Sequence, residues 1–166
     1  MSDKIEELKS AINDIIDKKC WAVSAGEGTG SVVGLYIGDK FLRKNELKND
    51  KLEPILRKYD SELSLLISCA WRLDTLDEVL CSSTDSNENA GNMITNLLKL
   101  QDLEISSANI TTPALDLKIT FENNMTLHVF CNETNFEDDL PNYTFYTMGK
   151  NYLVDTKSRL EIIVEE

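Results

Sequence analysis

The sequence predicts an α+β fold: an N-terminal amphipathic helix packed on a mostly antiparallel, meandering β-sheet. Three observations predict it. Sustained helical spacing of apolar residues is confined to the start of the chain. After it come short apolar runs that read as strands, with turn-forming residues between them. The 166 residues, 42% hydrophobic and 28% charged, make one domain, 1–166, with no internal repeat and no linker long enough to divide it.

Residues 1–19 give the helix, because Ile5, Leu8, Ile12, Ile15 and Ile16 recur with Lys, Glu and Asp between them. Ser2 or Asp3 can cap it, and Lys18 and Lys19 suit its C-terminal end. Residues 20–82 hold the first strands. Runs 20–24 and 31–37 flank a glycine-rich turn, Gly26-Glu27-Gly28-Thr29-Gly30. Residues 38–61 are polar and charged, and predict a loop with a short helix near 52–59. The most apolar stretch, 63–73, reads as one central strand, and 78–82 as the next. Residues 83–92 are rich in Ser, Thr, Asn and Asp and form a loop. Residues 93–166 begin with a short helix or turn at 93–100 and continue as a C-terminal β-meander. Its strands are 103–110, 115–121, 125–131, 143–148, 152–154 and 159–164. Asn123-Asn124 marks a hairpin, since Asn tolerates positive φ. An acidic loop, 132–142, interrupts the meander.

Charge narrows the function. The chain carries 17 Lys and Arg against 29 Asp and Glu, a net −12. Residues 1–60 hold 11 basic and 11 acidic side chains, whereas residues 61–166 hold 6 and 18, so the second part carries the whole excess. That balance argues against nucleic acid and against an anionic membrane surface. It leaves two readings: a solvated acidic surface that maintains solubility, or an acidic face made for a basic partner. Cys20, Cys69, Cys81 and Cys131 show no metal-site spacing, and no apolar run approaches a membrane span. With no hydrophobic signal region in the first residues, the expectation is a reducing, cytoplasmic compartment with four free thiols and no metal.

Catalytic motifs are weak. The glycine-rich stretch lacks the Lys and Ser/Thr pair of a phosphate-binding loop and leads into a strand. His128 is the only histidine. Alternation sets it on the face opposite Leu127, Val129 and Cys131, where a lone strand histidine is ordinarily structural. Asp138-Asp139 and the pair Asp74 and Asp77 are carboxylate pairs that an acidic chain supplies by chance. Asp85, Asn87 and Glu88 lack calcium-loop spacing. Trp21, Trp71, Phe121 and Phe130 read as core. No catalytic residue and no cofactor is expected, and the chain is not expected to be an enzyme.

Three segments in order carry a resemblance: Gly28-Thr29-Gly30-Ser31 running into an apolar strand that ends at Gly38, Cys69-Ala70-Trp71-Arg72-Leu73, and the hairpin Asp116-Leu117-Lys118-Ile119-Thr120-Phe121 with Leu127-His128-Val129-Phe130. Together they resemble a group of small bacterial proteins of the toxin-immunity type over most of the chain, roughly 21–154. The resemblance implies an immunity-type protein that binds and neutralises a cognate toxin, without catalytic residues of its own. A toxin domain that attacks nucleic acid has a basic cleft, which an acidic surface complements. The expected interface residues are Asp85, Glu88, Glu133, Glu137, Asp138 and Asp139, with Phe136 and Tyr143 as aromatic anchors. The alternatives are a small-ligand or regulatory binding module and an unrecognised enzyme. A deep apolar pocket in the sheet would mark the first, a pocket holding His128 or a carboxylate with a strongly perturbed pKa the second, and a flat or convex acidic face an inhibitor.

Overall fold

A computed structural model describes residues 2–135 and 140–166. Helix α1 (Ser2–Asn13) buries Leu8 and Ile12, with Ile5 partly covered. It is shorter than the helix predicted over 1–19. Asp14, Ile15 and Ile16 donate to carbonyls three residues back, which tightens the last turn. Asp17 then takes a φ of 67° and donates its N–H to the Ile105 carbonyl at 2.8 Å. Ile15 is buried all the same, in a turn.

The strands are β1 (Lys19–Ser24), β2 (Val33–Leu42), β3 (Tyr59–Ile67), β4 (Ala70–Asp74), β5 (Val79–Ser82), β6 (Leu103–Thr111), β7 (Asp116–Phe121), β8 (Thr126–Phe130), β9 (Tyr143–Tyr146), β10 (Lys150–Val154) and β11 (Leu160–Val164). Short helices α2 (Pro54–Lys58) and α3 (Asn92–Leu97) lie between them. Among the described residues the strands form one sheet in the order β11-β10-β9-β3-β2-β1-β6-β7-β8-β4-β5, and every pairing is antiparallel.

That order forces the sheet to curl. Strands β3 and β4 are separated by only Ser68 and Cys69, yet they stand six places apart in the sheet. In a flat sheet six places span roughly 29 Å, whereas three extended residues reach no more than about 11 Å. The half β11-β10-β9-β3-β2-β1 therefore folds over the half β6-β7-β8-β4-β5. One continuous core fills the space between, from Leu35, Leu65 and Phe145 on one side to Trp71, Ile119 and Leu127 on the other. Trp71 Nε1 donates across the fold to the Ser31 carbonyl at 2.7 Å. Helix α1 contacts β6 of one half and β11 of the other.

Two predicted segments change. The single strand over 63–73 is β3 plus β4, because the chain crosses between the halves at Ser68 and Cys69. Both of those N–H groups donate to the Asn142 carbonyl, at 2.9 and 3.1 Å. The loop over 38–61 begins later than predicted. Strand β2 runs on past a bulge, so that Lys40, Phe41 and Leu42 pair with Ser61, Asp60 and Tyr59. Gly38, at a φ of 84°, makes the bulge. The predicted turns hold elsewhere. Asn124 sits at a φ of 64° in the β7–β8 hairpin. The glycine-rich stretch is the β1–β2 turn, clasped by Asn87 Nδ2 donating to the carbonyls of Gly26 and Gly30 at 2.7 and 2.9 Å.

Candidate functional site

The outer face of the β3 half carries a furrow. Alternation turns Leu63, Leu65 and Ile67 inward and leaves Glu62, Ser64 and Leu66 on the outer face. Register then lines up Asn151, Tyr146, Ser64 and Tyr36 across β10, β9, β3 and β2. Side chains in register share a face. The small Ser64 between two tyrosines leaves a trough of about 620 Å³, floored by Tyr36, Ser64 and Tyr146. A hollow of about 120 Å³ continues it past Gly34 and Leu66. Met148, 71% exposed, stands at the β9–β10 end.

Carboxylates dominate the furrow's lining: Asp60, Glu62, Glu165 and Glu166 against the single guanidinium of Arg43. Arg43 Nη1 lies 3.5 Å from Asp60. Glu165 accepts from Asn151 Nδ2 at 2.9 Å. Glu62 pairs with Lys18 and accepts the Asp39 N–H at 2.9 Å. The Lys18 ammonium first, then that N–H, holds the Glu62 carboxyl below its ordinary range. Beside the furrow lies an aromatic shelf. Trp21 and Tyr36 meet at 5.7 Å, and Lys40 Nζ stands 5.6 Å from the Trp21 ring and 5.9 Å from Tyr59. The face thus already seats one cation against two rings.

The other half carries a contrasting cluster on its outer face. Arg72 makes a forked pair with Asp74 at 2.8 and 2.9 Å, and His128 Nε2 lies 3.0 Å from the same carboxylate. The Arg72 guanidinium lies 5.5 Å from the Phe130 ring, and that ring stacks on His128 at 6.0 Å. Phe130 therefore belongs to this half-exposed cluster, where core was predicted. Burial lowers the His128 pKa. Asp74 pulls it the other way, against Arg72 and Lys118, but its charge is already shared with Arg72. The arrangement binds β4 to β8. Among the described residues no group of three or more His, Cys, Asp and Glu is placed to hold a metal ion.

The interface residues expected from the sequence are scattered. Asp85 is half-buried and closes its own loop, accepting from the Ser82 N–H at 2.9 Å and from Asn92 Nδ2 at 3.3 Å. Glu88 is exposed. Glu133 is half-buried, with its N–H on Asn142 Oδ1 at 3.0 Å and its carbonyl accepting from Lys157 at 2.9 Å. Phe136, Glu137, Asp138 and Asp139 lie outside the described residues. Tyr143 requires correction as a surface anchor. It is 0% exposed, its hydroxyl donates to the Leu115 carbonyl at 3.0 Å, and burial pushes its pKa up. A ring enclosed in the core offers nothing to a partner. The furrow tyrosines escaped the sequence reading, although Tyr36 stands between inward Leu35 and Ile37, a pattern that marks an outward aromatic.

No family model, no curated protein and no solved structure matches the chain.

Proposed function

We propose that the chain is a binding protein of the immunity type, which neutralises a cognate bacterial toxin domain through an acidic surface. The furrow is the part of that surface suited to the partner's contact. The observation that carries the reading is the union of four carboxylates with two tyrosines and an exposed methionine in one open trough. Carboxylates steer a basic partner and set its orientation, while the rings supply contact area at little entropic cost. A lysine or arginine of the partner fits between Tyr36 and Tyr146, as Lys40 fits against Trp21 and Tyr59.

The test is association with a toxin domain sought among the neighbouring genes, followed in rising salt and with Glu165→Lys/Glu166→Lys; neighbours that encode none would count against the reading. Binding is expected to weaken with salt, and the variant to lose on the order of tenfold in on-rate at low ionic strength. Rescue from toxicity that survives this variant but fails with a folded His128→Ala would replace the reading with an enzyme or ligand site at the Arg72–Asp74–His128 cluster.

A further inference from the structure

We propose that Cys69 and Cys131 are a redox pair that a peroxide closes into a cross-strand disulfide at the end of the β4–β8 ladder. The last pair of that ladder is Ala70 with Phe130, so one step outward sets Cys69 opposite Cys131. The Cys131 N–H is turned away from β4, donating to the Asp116 carboxylate on β7 at 2.7 Å. Both cysteines lie just beyond the paired strands, and the ladder's alternation continued by one step makes theirs a non-hydrogen-bonded position, for which the ordinary Cα separation is about 4.5 Å. That spacing falls within the reach of a disulfide. The Cys131 thiol donates to the Leu115 carbonyl at 3.5 Å, a contact that closure onto Cys69 replaces. All four cysteines are free thiols, and the other two are isolated on β1 and β5, each with its pKa pushed up to about 12, burial being the main cause.

Access is asymmetric. Cys69 is 2% exposed, whereas Cys131 is only partly covered and meets the oxidant first. Its thiolate attacks the peroxide O–O bond, giving a sulfenic acid and releasing hydroxide. The Cys69 thiolate then attacks that sulfur and expels hydroxide. The two thiol protons convert the hydroxides to water, so two thiols and one hydrogen peroxide give one disulfide and two waters. The neighbouring Cys69 thiol, burial and the Asp116 charge all hold Cys131 in its protonated form. Closure is consequently slow at neutral pH, a response to sustained oxidation. The bond would fix the junction where Asn142 accepts the Cys69 N–H and holds the Glu133 N–H, at 3.1 and 3.0 Å.

Hydrogen peroxide added to the folded full chain at pH 7 and pH 9, followed by alkylation and peptide mapping, tests this. The expected result is loss of two of the four thiols, a mass lower by two hydrogen atoms, and one cross-link joining the Cys69 and Cys131 peptides. Closure should run about a hundredfold faster at pH 9, since thiolate rises tenfold per unit below its pKa. Cys20→Ser/Cys81→Ser should close like the wild type, and Cys131→Ser should not close. A folded chain oxidised at Cys131 only to sulfenic or sulfinic acid, or linked through another pair, overturns the proposal. The wild-type map decides this even where a variant fails to fold.

Discussion

The outer faces of the two sheet halves use their polar side chains in opposite ways. On the β4–β8 face, Arg72, Asp74 and His128 satisfy one another within 3.0 Å, and Phe130 covers them. On the β2–β3–β9 face, carboxylates outnumber the cations along an open trough, and Glu166 and Met148 extend from its end. Polar groups that complete one another act on the protein's own strands. In the furrow Asp60, Glu62 and Glu165 have partners in Arg43, Lys18 and Asn151, yet the lining still holds four carboxylates to one guanidinium, and that surplus acts on whatever approaches. On the proposed reading the partner's contact lies away from the only histidine, although histidine is the side chain whose chemistry draws attention first.

The largest expected effect breaks both faces together. Ile12 is 1% exposed on α1, and α1 contacts β6 of one half and β11 of the other. Ile12→Asp buries an unpaired charge between them and should cost about 3–5 kcal/mol. Denaturant melts followed by Trp fluorescence and by far-UV circular dichroism should shift together. A wild-type midpoint would mean that α1 does not brace the halves.

Next comes a change at the furrow's own support. A Cβ on Gly38 would lie 2.3 Å from Glu62 Oε2, at a φ of +84°. Gly38→Ala should cost about 1–2 kcal/mol and displace Glu62 from Lys18 and the Asp39 N–H. Glu62→Gln in the same background should then cost less than it does in the wild type, which a double-mutant cycle measures.

The third effect falls on binding alone. Tyr146→Ala, at a side chain 37% exposed, should move stability by less than about 1 kcal/mol. It should weaken partner association about tenfold, while Glu88→Lys on its remote loop changes it little. Equal losses from both variants would place the contact outside the furrow.

How far the sequence discloses these features depends on what periodicity can register. Buried positions 63, 65, 67, 69, 71 and 73 keep one parity straight through the β3–β4 crossing, because Cys69 points into the same core as Ile67 and Trp71. An alternating pattern therefore reads as one strand, and only the hydrogen bonds at Ser68 and Cys69 reveal two. Helix α1 and the Asn123-Asn124 hairpin were legible since their signals are local. The furrow was not, because Tyr36 and Tyr146 are 110 residues apart in sequence and become neighbours only through the registers of β2, β3 and β9. Tyr143 misled for the related reason that strand position alone does not say which face is covered.

The smallest effect is a pH dependence that belongs to the satisfied face. Burial sets the folded pKa of His128 below that of the unfolded chain, which is near 6.5. The neutral imidazole is thus the form that favours folding, and its contribution is fully present above the unfolded value. As pH falls below that value the unfolded chain binds the proton first, so stability declines until pH has passed through the folded pKa. Glu7 and Glu62, whose pKa values are lowered from about 4.5 chiefly by Lys150 and Lys18, act in a lower window. Between pH 7.5 and 5.5 the wild type should therefore lose slightly more stability than His128→Gln, which cannot titrate. Urea melts at the two pH values measure the difference. An equal loss in both chains would assign the dependence to other groups, and a smaller loss in the wild type would mean that Asp74 stabilises an imidazolium. In that case the β4–β8 cluster would not be the self-satisfied counterpart of the furrow, and its histidine would stand available to a ligand.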